Sequence, residues 1–192
     1  MAGKLVQVNK NIVDTAVSSI LLTGIDTDNV YQLVMTNITP STINADVQLR
    51  LTESGTGSAD SDYDRSGKMP RSDTTFSDLA DTNATGFLLS GSLNNTVGKG
   101  FNAIVNIYNA NDSSEYTYAT HETCYIAEDG STFLGIQGGG VYTQTTAVDG
   151  IEIKLVGPTS NIASGTVALY EVLAWVVNLD IYQKAQNKVL EI

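Results

Sequence analysis

The amino-acid sequence predicts an all-β fold, an antiparallel β-sandwich of jelly-roll type. The composition is the first observation, because 22 threonines, 17 glycines and 15 asparagines occur in 192 residues. Threonine, like valine, isoleucine and tyrosine, suits pleated strands, whereas glycine and asparagine suit the turns between strands. The second observation is the alternation of apolar and polar residues, and the third is that no helical periodicity separates the alternating segments.

Three segments show the alternation most clearly. Residues 43–51 interleave apolar with polar side chains, and residues 101–107 and 151–155 repeat the pattern. Each segment predicts a strand with one buried and one solvated face. Further strands are predicted at residues 5–8, 17–22, 30–36, 87–90, 115–120, 124–127, 132–137, 140–144 and 165–172. Many short strands joined by Gly, Asn, Asp and Ser turns indicate two packed antiparallel sheets.

The chain is predicted to be one domain over residues 1–192, with the sandwich at 1–172. Residues 53–84 interrupt the strand pattern, since they hold seven acidic and three basic residues but few large apolar ones. This composition predicts a long functional loop, a partner-contacting arm or a disordered insertion. Residues 173–192 form a predicted C-terminal extension. We expect it either to dock on a neighbouring subunit or to pack on its own domain.

The charge balance narrows the classes of partner. A formal net charge of −11 repels phosphate backbones, so nucleic acid is not an expected partner. The apolar runs are too short for a membrane span, and the N-terminal residues lack the pattern of a signal peptide. We therefore expect a soluble protein made in a cytoplasm, without a membrane partner.

His121 and Cys124 are the only histidine and the only cysteine of the chain. A Cys–His nucleophilic pair requires the two side chains to meet, whereas residues three apart in a strand point to opposite faces. A zinc-binding helix would need a second histidine, and a serine hydrolase would need a Gly-x-Ser-x-Gly elbow, which does not occur. The sequence therefore favours a structural cysteine and a polar-face histidine, and predicts no catalytic residue and no enzyme.

Two further segments match known site motifs only in part. Residues 60–64 hold three aspartates at the spacing of a calcium loop, but Arg65 replaces the turn glycine and Arg71 replaces the bidentate glutamate. Residues 135–140 are rich in glycine but lack the Gly-Lys-Ser/Thr sequence of a phosphate loop, and they predict a bulge or a tight turn. No metal site, cofactor site or cofactor is predicted.

Tyrosine provides the clearest hint of a binding surface. It occurs nine times, and an exposed tyrosine suits protein interfaces or stacking on sugars. The alternative is that most tyrosines line a sheet face in the ordinary way. The residues concerned include Tyr108, Tyr116, Tyr118, Tyr125 and Tyr142.

Four turn-and-strand segments between residues 24 and 170 carry a family resemblance. They are Gly24-Ile25-Asp26 followed by 30–40 (VYQLVMTNITP), then 49–55 (LRLTESG), 139–142 (GGVY) and 161–170 (NIASGTVALY). In these segments the chain resembles a family of small β-sandwich proteins encoded by tailed bacteriophages. The resemblance implies a virion structural protein, either an outer capsid decoration (cement) subunit or a tail-fibre component.

The resemblance also implies partners and a location. The expected partners are further copies of the chain in a homotrimer and other virion proteins such as the major capsid protein, and the expected location is the virion. A tail-fibre or receptor-binding subunit would instead recognise a host-surface glycan. Relatives tend to end soon after the motif that closes at Tyr170, whereas Glu171 follows here and the chain runs to Ile192. This departure marks the C-terminal extension as a candidate docking element.

Overall fold

The computed structural model describes residues 4–73, 76–157 and 161–173. The regular structure of these residues is entirely β, and every strand pairing is antiparallel. The strands are β1 (Lys4–Val13), β2 (Ser19–Thr23), β3 (Val30–Pro40), β4 (Asp46–Glu53), β5 (Thr56–Gly57), β6 (Tyr63–Met69), β7 (Ser77–Ala84), β8 (Phe87–Leu88), β9 (Phe101–Tyr108), β10 (Thr117–Ile126), β11 (Phe133–Tyr142), β12 (Gly150–Val156) and β13 (Ile162–Leu173).

The strands form two sheets. The larger sheet has eight strands in the order β1-β13-β3-β9-β10-β11-β6-β7. The smaller sheet has the order β2-β12-β4-β5, and β8 also pairs with β4. The predicted antiparallel β-sandwich is therefore confirmed, whereas the jelly-roll connectivity stays a prediction.

The hydrophobic core lies between the two sheets. Leu33 of β3 and Val105 of β9 contribute from the larger sheet, while Leu49 of β4 and Ile153 of β12 contribute from the smaller one, and all four are fully buried in one cluster. The predicted alternation is confirmed in β9, where the four apolar side chains at odd positions 101–107 are buried. One face of each sheet therefore makes the core, and the other face of each sheet points outward.

The predicted strands at 115–120 and 124–127 are a single strand, β10, and those at 132–137 and 140–144 merge into β11. The division was predicted because the inward positions of β10 include Thr117, His121 and Thr123, which interrupt the apolar signal. The strand is continuous despite this weak apolar alternation, because β10 pairs with β11 on one side and with β9 on the other.

The prediction of a strandless loop at residues 53–84 is wrong, because β5, β6 and β7 lie within this segment. β7 is the last strand of the larger sheet and has mostly exposed side chains, so few apolar residues are needed. Charged side chains pair across the hairpin instead, Arg65 with Asp81 and Lys68 with Asp78. Edge position and cross-strand pairing explain why a strongly charged segment forms strands.

The prediction of a bulge or tight turn at residues 135–140 is also wrong. These residues lie inside β11, and the register with β10 runs through them without a shift. The glycines are required by close approach of neighbouring backbones. A Cβ atom on Gly138 would lie 2.4 Å from the Ser66 carbonyl oxygen, and one on Gly140 would lie 2.4 Å from that of Asp64. Glycine inside a strand marks such a close approach.

The predicted C-terminal extension falls almost wholly outside the described residues. Leu173, its first residue, is the last residue of β13, and residues 174–192 are not described. In the described ranges, no helix has the length and apolar character needed to cross a membrane.

Candidate interaction surface

The outer face of the eight-stranded sheet carries a row of apolar and tyrosine side chains, which we call the apolar row. Directly paired residues of neighbouring strands project from the same side of a sheet, so the register defines the members. The pairings are Leu5 with Val172, Val172 with Val30, and Tyr118 with both Tyr108 and Val141. These pairings form two halves, one ending at Val30 and the other at Tyr108. Because Tyr31 pairs with Ile107, the adjacent Val30 and Tyr108 lie opposite each other and join the halves. The row therefore crosses six adjacent strands.

Side chains of the apolar row are accessible to a partner. Leu5 is 51% exposed and Tyr118 is 46% exposed, while the other members are half-buried. None of the six side chains is charged, although the whole chain has a net charge of −11. An uncharged strip with aromatic members is typical of the central part of protein interfaces.

A polar ladder runs parallel to the apolar row on the same face. Gln32 Nε2 donates to Asn106 Oδ1 at 3.0 Å, and Asn106 Nδ2 donates to Thr120 Oγ1 at 3.5 Å. The Tyr108 hydroxyl lies 3.4 Å from Thr120 Oγ1, which links the ladder to the apolar row. These bonds connect β3, β9 and β10, so the face is organised before any partner arrives, which lowers the entropy cost of binding.

An apolar concavity of about 530 Å³ lies beyond the polar ladder. Ile104 and Phe133 are 46% and 45% exposed at its border, and Cys124 lies in its lining. Gly135 pairs with Cys124 across β10 and β11 and also lines the concavity. The outer face thus holds two apolar regions separated by polar groups.

The outer face of the smaller sheet has a different chemistry. Arg50 pairs with Glu152, and Lys154 pairs with Gln48, so opposite charges and an amide occupy this face. Leu21 is the large apolar side chain exposed there, at 46%. Charged residues are depleted from interface centres. The outer face of the larger sheet is therefore the candidate interaction surface.

The tyrosines named from the sequence divide between the two faces of the larger sheet. Tyr125 and Tyr142 are buried, with the Gly91 N–H donating to the Tyr125 hydroxyl at 2.9 Å and the Tyr142 hydroxyl donating to Glu53 at 2.7 Å. Burial raises the pKa of both phenols to about 12. Tyr116 and Tyr118 are 42% and 46% exposed. Tyr108 is half-buried on the outer face.

His121 and Cys124 lie on opposite faces of β10, as expected for a strand. Their environments are the reverse of the prediction, because His121 is 5% exposed on the core side whereas Cys124 is exposed on the outer side. The phase of β10 explains the reversal, since odd-numbered residues 117–125 all face inward. This arrangement does not bring the two side chains together as a nucleophilic pair.

The His121 imidazole is held neutral in the core. Burial lowers its pKa to about 4, and the positive charge of Arg65 acts in the same direction. Arg65 itself bridges the two sheets, because its Nη1 donates to the Leu88 carbonyl at 3.2 Å and its Nη2 contacts Asp81 at 3.1 Å. Both side chains therefore lie in the interior rather than at a surface site.

The three aspartates of the incomplete calcium motif do not act as one group. Asp60 and Asp62 precede β6, whereas Asp64 lies within it and accepts a hydrogen bond from the Asn83 N–H at 2.9 Å. Across residues 4–73, 76–157 and 161–173, no three His, Cys, Asp or Glu side chains are grouped so that they could hold a metal ion.

Sequence reasoning missed the apolar row and the buried Tyr63 of β6. Val30, Val172 and Val141 fall in segments predicted as strands, but their grouping depends on the order of strands in the sheet, which no local pattern encodes. Tyr63 is fully buried and its hydroxyl accepts a hydrogen bond from the Leu51 N–H at 3.0 Å, which ties β6 to β4. The alternation of Tyr63 with polar neighbours was the available signal.

Comparison of the chain with protein-family models, with curated proteins and with solved structures finds no match.

Proposed function

We propose that the chain is a bacteriophage virion structural protein, an outer capsid decoration or cement subunit that stabilises the head through protein–protein contacts. The family resemblance of residues 24–170 motivates the assignment to a virion. The outer face of the larger sheet supports contact with proteins, and it is the single observation on which the mode of action rests. Its apolar row and apolar concavity contrast with the charged face of the smaller sheet.

The proposed mechanism is mechanical. The sandwich bridges neighbouring capsomers of the major capsid protein, and burial of Ile104 and Phe133 adds stability to the head. Removing apolar area from water contributes about 25 cal/mol per Å², so many copies together resist the internal pressure of packaged DNA. The acidic remainder of the surface stays solvated and limits unspecific association between densely placed subunits.

The test uses particles of a phage that encodes the chain, made with and without its gene. We expect the protein in purified wild-type heads, and we expect heads lacking it to release DNA at a lower temperature. Recombinant protein should restore the release temperature, whereas Ile104→Asp protein should not. Leu21→Asp is the matched control, because Leu21 has the same 46% exposure on the other outer face. Absence of the protein from purified particles would contradict the proposal.

A second candidate is a tail-fibre or receptor-binding subunit that recognises a host-surface glycan. The exposure of Tyr116 and Tyr118 favours this function, since an exposed phenol ring stacks on a sugar face. A glycan array probed with the recombinant protein tests it. Tyr170, which lies in β13 and is half-buried, provides the control. Binding that is lost in Tyr118→Ala but retained in Tyr170→Ala would support the glycan function, and no binding to any glycan would contradict it.

A further inference from the structure

Strand β13 ends beside the apolar row, next to the terminal strand of the row, β1. Val172 is a member of the row, and the next residue, Leu173, ends β13 opposite Lys4 of β1. Nineteen residues, 174–192, follow this point in the sequence. The segment that follows Leu173 therefore starts next to the row.

The sequence that follows β13 matches the row in chemistry and in length. Residues 174–182 read AWVVNLDIY and contain the only tryptophan of the chain and a single charged residue. Extended, these nine residues span about 30 Å at about 3.3 Å per residue. The six strands of the row are separated by about 4.8 Å each, so the row is about 24 Å long. The segment is therefore long enough to span the row, and both consist mainly of apolar and aromatic side chains.

A turn onto the row of the same copy is not favoured by the sequence. To reach its own row, the chain would have to turn through roughly a right angle directly after Leu173. Residues 174–177 contain none of Gly, Pro, Asn, Asp or Ser, which are the residues that form turns. Val176 and Val177 are instead stiff, β-branched residues that favour extended backbone.

We propose that the apolar row of one copy binds residues 174–182 of a second copy of this chain. The contact is head-to-tail, because the row of one copy binds a different stretch of chain, residues 174–182, from the next copy. Head-to-tail contacts close into rings when the rotation between copies permits. The inference rests on the proposed function and deepens it, because it names the contact through which copies of a decoration subunit would form the homotrimer that the family resemblance implies. It is tested on the isolated protein. If the copies do not bind each other in this way, the virion assignment is unaffected. If the protein is absent from purified particles, the contact between copies is unaffected.

The first experiment measures the mass of full-length protein in solution by light scattering coupled to gel filtration. Wild-type protein should be a trimer that dissociates on dilution. Tyr118→Asp, which places a charge in the row, and Val176→Asp, which places one in the segment, should each shift the protein to monomer. Leu21→Asp is the matched control with the same exposure as Tyr118, and it should remain a trimer. Circular dichroism verifies that each variant is folded.

The second experiment mixes the two defective variants. Tyr118→Asp retains an intact segment, and Val176→Asp retains an intact row, so one contact is restored in the mixture. We expect a 1:1 heterodimer that cannot close into a ring. Monomeric wild-type protein at all concentrations, or variants that remain trimeric, would overturn the proposal. A monomeric wild type in which Val176→Asp increases the binding of an apolar dye would show that the segment binds the row of its own copy.

Discussion

Tyrosine occurs on both faces of the eight-stranded sheet, but it is buried on the inner face and accessible on the outer face. On the inner face, Tyr63 is fully buried, packs edge-on against Phe87 at a centroid distance of 5.0 Å, and accepts a hydrogen bond from the Leu51 N–H. On the outer face, Tyr118 is 46% exposed, with half-buried Tyr108 paired beside it. The phenol groups are identical, but only the inner ones are fully enclosed by the protein.

This difference shows that tyrosine content alone does not identify a binding surface. An inner tyrosine stabilises the fold because its ring fills the core and its hydroxyl pairs with an otherwise unsatisfied backbone group. An outer tyrosine contributes little to the fold and keeps its ring available to a partner. Substitutions on the inner face should therefore lower the stability of the fold, whereas substitutions on the outer face should mainly weaken association with a partner.

The largest expected difference between the faces is in the free energy of unfolding. Tyr63→Ala should lower it by about 3–5 kcal/mol, because a cavity opens and the Leu51 N–H loses its partner. Tyr118→Ala should change it by less than about 0.5 kcal/mol. Urea denaturation followed by circular dichroism measures both values. Equal losses in the two variants would contradict the division between faces.

The second prediction concerns the pH dependence of stability. Because the pKa of His121 is about 4 in the folded protein and 6.5 ordinarily, the unfolded chain binds the proton more readily. The free energy of unfolding should therefore fall by about 2.5 kcal/mol between pH 7 and pH 4.5 through this residue. His121→Gln should lack this contribution, and the difference between the two pH profiles isolates it from the carboxylates. Parallel profiles would show that His121 is not buried in neutral form.

The third prediction concerns the glycines of β11. Gly140→Ala should lower the free energy of unfolding by about 1–3 kcal/mol, since its Cβ would lie 2.4 Å from the Asp64 carbonyl oxygen and 2.7 Å from the Phe87 ring. Gly91→Ala is the control, because its nearest neighbours are 3.9 Å away. Thermal unfolding of both variants gives the comparison, and an unchanged Gly140→Ala would argue against the close approach of β6 and β11.

The smallest effect is expected at the sheet edge. Lys68 and Asp78 form an ion pair on the β6–β7 hairpin, and both side chains are largely exposed. Solvent and salt screen such pairs, so Lys68→Ala should cost no more than about 0.5 kcal/mol, with the difference vanishing at high salt. Chemical denaturation at low and high ionic strength measures it. A larger, salt-independent loss would indicate that the hairpin depends on this pair.

The fold class could be predicted from the sequence because alternation is a local property. The segments 43–51, 101–107 and 151–155 correspond to β4, β9 and β12. The prediction failed in β7, where edge exposure removes the apolar signal, and in β6, where charged side chains pair with those of β7. It also failed in β11, where glycines inside a strand look like a turn. The apolar row could not be predicted, since it is assembled from six strands whose order in the sheet differs from their order in the chain.

Cryo-electron microscopy of purified particles would show whether the protein is a head decoration subunit. We expect density for the sandwich at repeated positions of the head lattice, with the outer face of the larger sheet turned towards a neighbouring protein and the charged face of the smaller sheet towards solvent. Density only at the tail, or a head-bound sandwich whose larger outer face is solvent-exposed, would contradict it.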